Sequence, residues 1–346
     1  MADRLGALDL VEAFQLSHAV AALHDLRLMS ALSQPRTTEE LAAAHRLDPA
    51  LLRGTLEYVA SRTNLLRKTG GRFVATRHYG PDSRFMLDLY LGAYGQNAAR
   101  LADLLQRPSL ASAVVDAAQH ARAFEGVNGA PLSVLPDIIR SLRWNHVLDL
   151  GCGNAGLLLD LAANDTGFAG WGVDLNPRMC KVARSRLAAA DVKSRVRVFH
   201  GDCRRVRDAL PQSVRSKVLA ITACNVANEM FSKGADDAVS WLRHMSSALP
   251  GRPLLIADYY ARLGGRAGSL DRHTVVHDYA QLISGQGVPP TRAAEWQTIY
   301  RRAGCRLVHR IEDRQSTRFV HLVQLGEISP RPRDRDRRPA STLSSA

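Results

Sequence analysis

Lysine, aromatic residues and cysteine are all scarce in this chain of 346 residues. Of 46 basic residues, 41 are arginine and 5 are lysine, and alanine is abundant, which is the composition of a GC-rich coding sequence. The basic residues run along the whole chain, so the net charge of +13 does not single out a polyanion-binding face, and nucleic acid is not an expected partner. Five cysteines, odd in number and without a Cys-x-x-Cys pair, argue against a disulfide framework and a zinc site. The chain has no run of about 18 apolar residues, so no membrane span is indicated. Its start, Met-Ala-Asp-Arg, lacks the basic-then-apolar layout of a secretory signal, and cytoplasm is the expected location. The length suggests two domains, and 46% hydrophobic content supplies ordinary globular cores.

What stands out is Val147-Leu148-Asp149-Leu150-Gly151-Cys152-Gly153-Asn154-Ala155-Gly156. An apolar strand ends near an acid, turns through three glycines and enters an apolar helix. Glycine lets a ligand lie against the backbone, and the helix start presents free N–H groups to it. The pattern Gly-x-Gly-x-x-Gly alone fits a dinucleotide. Asp149 disfavours a diphosphate there, because two negative charges would meet. The α-ammonium of S-adenosylmethionine would be welcome. A second strand ends at Asp174-Leu175, with Asp174 18 residues beyond Gly156, where ribose hydroxyls are expected. A third, Val196 to Asp202, ends in an acid that can accept a hydrogen bond from adenine, with Cys203 beside it. Near the end, residues 304–311 and 318–325 alternate as two strands of a hairpin.

These three strand-end acids resemble motifs I, II and III of class I S-adenosylmethionine-dependent methyltransferases, and the terminal hairpin agrees. The resemblance covers roughly 140–326. It implies an α/β fold, with a Rossmann-like seven-stranded sheet whose last strand is antiparallel. It also implies S-adenosylmethionine as cofactor, held by Asp149, Gly151, Gly153, Asp174, Leu175, Asp202, Cys203 and Asn225.

The first third reads as helices and a wing. Apolar residues recur at helical spacing over 8–32, Thr37 with Glu39 and Glu40 caps a second helix, and Asp48-Pro49 opens a third. Two short strands then flank Gly70-Gly71. This helical, winged-helix segment resembles the dimerisation domain of small-molecule O-methyltransferases. The third helix is too apolar for a DNA groove, so the expected partner is a second copy of the chain. The expected divisions are 1–80, a winged-helix dimerisation domain; 81–140, a helical roof; 141–327, the cofactor-binding domain; and 328–346, a disordered Arg-rich tail. In the roof, Phe85, Met86, Leu89, Tyr90 and Tyr94 form one stripe, and a helix is expected from about Ser109 to Glu125. Tyr90, Tyr94, Gln96 and Asn97 are the polar candidates for contact with a small-molecule acceptor.

One departure matters. The fourth strand runs from Lys217 to Cys224 into Asn225-Val226-Ala227-Asn228-Glu229. The resembling O-methyltransferases carry His-Asp where Asn228 and Glu229 stand, and that histidine is their general base. Asparagine cannot take up a proton near neutrality. A phenol, with pKa about 10, gains from a base, whereas a thioether or tertiary amine needs none. The expectation is therefore S-, N- or C-methylation without the histidine, a thioether being one such acceptor. The alternative is O-methylation of a secondary-metabolite hydroxyl using Glu229, His273 or His277 as base. Different classes altogether are a non-catalytic S-adenosylmethionine-binding or DNA-binding regulator, or an NAD oxidoreductase. Beyond the fifth strand, Tyr259, Tyr260 and His273 are further acceptor candidates. The pair His277-Asp278 reads as structural rather than metal-ligating, so no metal is expected.

Overall fold

The computed structural model describes residues 5–125, 134–264, 272–313 and 317–326. The tail 328–346 and the Gly126, Gly129 and Pro131 break lie outside the described residues.

Helix α1 (Ala7–Asp25) precedes α2 (Thr38–His45) and α3 (Pro49–Arg62). Thr37 Oγ1 accepts from Glu40 N at 3.2 Å while Glu40 Oε2 accepts from Thr37 N at 3.1 Å, a reciprocal cap. Asp48 Oδ1 accepts from Leu51 N at 2.7 Å, and Pro49 takes the first helical position. Strands β1 (Leu66–Thr69) and β2 (Arg72–Ala75) pair antiparallel. Gly70 and Gly71 both have left-handed backbone, which this two-residue turn requires. These elements enclose their own core, centred on Leu23, Leu28, Leu32, Leu56 and Phe73.

The roof differs from its expected form. Helix α4 (Pro81–Met86) passes into a π-helix over Leu87–Ala93. The wider turn breaks the expected stripe: Met86 is exposed, whereas Leu89 and Tyr94 are buried. The single helix expected from Ser109 to Glu125 is two pieces. A short one ends at Val114, Val115 is extended, and α5 (Ala117–Glu125) starts anew. Asp116 causes the break, its Oδ1 accepting from Ala118 N and Gln119 N, both at 2.9 Å.

Helix α6 (Val134–Ser141) leads into the sheet. Five strands are parallel: β3 (His146–Leu150), β4 (Ala169–Asp174), β5 (Val196–His200), β6 (Ala220–Cys224) and β7 (Pro253–Tyr259). The fourth strand is shorter than expected, beginning at Ala220 rather than Lys217. Helices α7 (Gly156–Asn164), α8 (Pro177–Ala189) and α9 (Ala235–Ala248) cover the sheet, joined by α10 (Arg272–Ile283) and α11 (Ala293–Arg302). Strands β8 (Arg306–Glu312) and β9 (Arg318–Gln324) form the closing hairpin. The order is β5-β4-β3-β6-β7-β9-β8, with β9 antiparallel to both neighbours. This is the expected sheet. Cores on its two faces centre on Trp241, Met245, Trp296 and Tyr300, and on Leu157, Leu158, Leu161 and Cys180. Strand order reverses between β3 and β6, and ligands of open α/β sheets bind at the carboxyl ends beside such a switch.

Candidate active site

The cofactor half is built by the glycine loop between β3 and α7. Gly151, Gly153 and Ala155 all take left-handed backbone, which folds the chain tightly off the strand. A Cβ on Gly151 would fall inside the reach of Val226 Cγ2, so this glycine is required by the turn beyond β6 as well as by any ligand. Asp149 is buried, and its Oδ1 accepts from Thr222 Oγ1 at 2.7 Å. Burial pushes its pKa up to about 7, opposed by that hydrogen bond and reinforced by Asp174. Asp174 does more than the sequence suggested. Its carboxylate accepts from Gly153 N at 2.9 Å and from Asn176 N at 2.8 Å, tying the glycine loop to the end of β4. Leu175 is exposed, its carbonyl 3.0 Å from His200 Nε2. Asp202 caps the short turn Cys203–Arg205 by accepting from Arg204 N at 2.8 Å, and burial pushes the Cys203 thiol up to about 12.

These acids stand in a row at the carboxyl ends of three adjacent strands. The loop needs left-handed backbone, and beneath it Asp149 is a buried acid. Both suit S-adenosylmethionine: an ammonium would relieve the buried carboxyl, and the strand-end carboxylates can accept from hydroxyl and amino groups. Bound there, the cofactor supplies a methyl group on a sulfonium, ready for displacement by a nucleophile.

The acceptor half lies beyond β6. Asn225 has left-handed backbone, and its N–H donates to Ala257 O at 2.9 Å. The turn Ala227–Glu229 follows. Asp258, at the end of β7, is fully buried and accepts from Asn228 N at 3.0 Å and Tyr259 N at 2.9 Å. Burial holds this carboxyl at about 7 against those bonds and the nearby Arg318. Asn228 is 2% exposed, and its Oδ1 has no hydrogen-bond partner among the described residues. Glu229 beside it is raised to about 7, chiefly by burial, with Arg204 opposing and Asp174, Asp258 and Asp202 reinforcing.

Roof and α10 close over this turn. Tyr90 Oη lies 3.0 Å from His277 Nδ1 and 3.4 Å from His273 Nε2. The rings of Tyr90 and Tyr94 are 6.4 Å apart, and His120 packs on Tyr94 and Phe124. Burial, then His273, Arg318 and His120, lower His277 to about 4, so it is neutral at physiological pH. Tyr259 packs 5.4 Å from the His277 ring and donates its hydroxyl to Gln281 Oε1 at 2.8 Å.

Of the acceptor candidates, Tyr90, Tyr94, Tyr259 and His273 are thus brought together, with the base candidate His277 among them, whereas three are not. Tyr260 points to the other side of β7, its hydroxyl donating to Glu312 at 2.7 Å and lying 3.1 Å from His321, because neighbouring residues at a strand end face opposite ways. Asn97 is fully buried and donates to the carbonyls of Ala111 and Ile283 at 2.7 and 3.0 Å, which makes it a brace between roof and α10. Gln96 is exposed. Asp278 accepts from Arg262 N at 2.6 Å and Leu263 N at 2.8 Å, fastening the loop after β7, and among the described residues no cluster suited to a metal occurs. Sequence reasoning missed Asp258, His120 and Arg318. The last donates to Asn225 Oδ1 at 2.5 Å, and only the register of β9 against β7 reveals it.

Residues 147–249 match the family described as "Methyltransferase domain". Among solved structures, the chain resembles the mitomycin 7-O-methyltransferase MmcR, with a TM-score of 0.69 and 16% identity over 92% of this chain and 96% of that one. It also resembles an O-methyltransferase family protein from Burkholderia thailandensis, with a TM-score of 0.66 and 18% identity over 94% and 99%. A third likeness is to the O-methyltransferase NcsB1 of neocarzinostatin biosynthesis, in complex with S-adenosylmethionine and 2-hydroxy-5-methyl naphthoic acid. Its TM-score is 0.63 at 18% identity over 89% of this chain and 95% of that one. The sheet order, the strand-end acids and the matched domain agree: residues 147–249 form a methyltransferase domain, and the chain around them has the fold of the O-methyltransferases it resembles.

Proposed function

We propose that the chain O-methylates a hydroxyl of a small, natural-product-like acceptor, with Glu229 as general base. This revises the expectation of S-, N- or C-methylation, which rested on the missing histidine. The observation that carries the revision is Glu229 itself. It is held at about 7 in the turn next to Asn228 and among the strand-end acids of the cofactor half. A carboxylate of that proton affinity is matched to proton abstraction near neutrality. Asn228 Oδ1, buried and without a partner among the described residues, is available to accept from the acceptor hydroxyl and orient it toward Glu229. The structural relatives that are O-methyltransferases support the same reading.

In this reading Asp149, Gly151 and Gly153 hold the methionine end of the cofactor, Asp174 with Leu175 the ribose, and Asp202 with Cys203 the adenine. Asn225 braces the turn between cofactor and acceptor. Tyr90, Tyr94, Tyr259 and the two histidines of α10 enclose the acceptor, and Glu229 takes its proton. Two copies of the chain pair through the amino-terminal helices.

The test is the pH dependence of kcat/KM with a phenolic acceptor. The base acts when ionised, so the rate should climb as pH rises through about 7 and level off above it. Glu229→Gln should lower kcat by about 100-fold or more with cofactor affinity kept. A Glu229→Gln enzyme with unchanged kcat and pH profile would overturn the assignment.

A further inference from the structure

Arg204 belongs to none of the sequence motifs, yet it joins the two halves of the site. It sits in the short turn Cys203–Arg205, just past the strand-end acid Asp202. That turn is fixed at two points. Asp202 Oδ1 accepts from Arg204 N at 2.8 Å, and Cys203 O accepts from Trp241 Nε1 of α9 at 3.3 Å. From this fixed base the Arg204 guanidinium reaches across to the acceptor turn, where its Nη2 donates to Glu229 O at 3.3 Å. Its Nη1 stays 3.8 Å from Asp202 Oδ2. One guanidinium thus spans from the end of β5 to the turn beyond β6, two strands that are not neighbours in the sheet.

The Glu229 beside it is surrounded by acids. Asp174 at the end of β4, Asp202 beyond β5 and Asp258 at the end of β7 all favour its protonated form, and Arg204 opposes them. Tyr94 of the roof and the Cys203 thiol also feel the Glu229 charge, and burial holds both of them protonated near neutrality. With no cation against it, a buried carboxyl among three like charges stays protonated further above neutrality, where it cannot accept a proton. A plain brace between the two turns would need only hydrogen-bond donors. Arg204 brings a full charge to the same place, part of it screened because the side chain is half-exposed.

We propose that Arg204 is a positioning residue for the reaction: it pins the Glu229 turn to the cofactor half and, by its charge, favours the ionised Glu229 that accepts the proton. Arginine suits both tasks, because its planar fork can donate to a carbonyl with one nitrogen while another stays beside a carboxylate, and it remains charged throughout. The part played in the reaction rests on the reading of Glu229 as general base, whereas the tie between Arg204 and Glu229 does not.

The experiment is an infrared difference titration of the full chain loaded with S-adenosylhomocysteine, following the protonated-carboxyl band that Glu229→Gln removes. The pH dependence of kcat/KM with a phenolic acceptor is read beside it. Arg204→Gln keeps a donor and loses the charge, and should move both midpoints up by about half to one pH unit. Below the original midpoint kcat/KM should then fall by about three- to tenfold, and well above it the two proteins should converge. Arg204→Lys keeps the charge and should bring both midpoints part of the way back. Unmoved midpoints in Arg204→Gln, with a rate lowered equally at every pH, would make Arg204 a brace only, overturning the proposal and leaving Glu229 as base. A moved infrared midpoint with a rate that does not titrate supports the tie between Arg204 and Glu229, but overturns Glu229 as base and with it the part of Arg204 in the reaction.

Discussion

At the scale of single residues, Asp149 is the clearest case of burial setting chemistry. Its pKa of about 7 lies above the ordinary carboxylate value, so the empty protein pays for ionising it. Stability contributed by its neutral form is present at low pH and falls as pH rises from the ordinary carboxylate value toward 7. A cation placed against it reverses the preference and expels a proton. Affinity for S-adenosylhomocysteine should therefore tighten with rising pH, by up to about tenfold per unit below about pH 7, and then level off. Calorimetry across that range checks this, and Asp149→Asn should bind weakly at every pH. A flat profile in the unaltered protein would remove Asp149 from the ammonium site. The residues legible in the sequence share one property: Asp149, Asp174 and Asp202 each end a strand beside a turn, so local pattern was enough. Asp258 and Arg318 escaped because their roles depend on contacts with Asn228 and Asn225, residues far away in the chain.

Among the elements, the π-helix over Leu87–Ala93 shows where sequence pattern stops. Helical spacing placed Met86 with Tyr90 on one stripe, but the wider turn leaves Met86 outside, and nothing local announces it. The cause is tertiary. Asp88 on this turn is buried, with His24 Nε2 3.0 Å and Arg122 Nε 2.6 Å from its Oδ1, and Arg122 also reaches Asp25 at 2.8 Å. One carboxylate thus joins α1, the roof and α5, and its neighbour Tyr90 is carried to the histidines of α10. Asp88→Ala should cost about 1–3 kcal/mol in denaturant unfolding, because it strands two partners. It should also raise the acceptor KM more than the cofactor Kd. A loss below about 0.5 kcal/mol would mean that the π-turn holds without this knot. By contrast, the caps at Thr37 and Asp48 and the Gly70-Gly71 turn were legible, because each is complete within four residues.

Taken as a whole, the molecule leaves its first helix unfinished. Leu8 is 80% exposed and Phe14 65%, with Leu5, Leu10 and Val11 also exposed on the same segment and Leu51 on α3. So much apolar surface on one short stretch is costly in water, which supports the proposed pairing of two copies through this helix. The protein should sediment as a dimer at micromolar concentration, and replacing Leu8 and Phe14 together by Glu should give folded monomer. An unaltered protein that sediments as a monomer would refute pairing through this helix. Across the sheet the two halves of the site are not independent. Val226, in the acceptor turn, occupies the space that a side chain on Gly151, in the cofactor loop, would need. A ligand that tightens one of these segments acts on the packing of the other, and thermodynamic linkage makes any such influence equal in both directions. The filled cofactor loop should thus sharpen affinity for the acceptor, and the acceptor should slow escape of the cofactor by the same free energy. The two ligands would then arrive and leave as a cooperative pair rather than as strangers sharing a cleft.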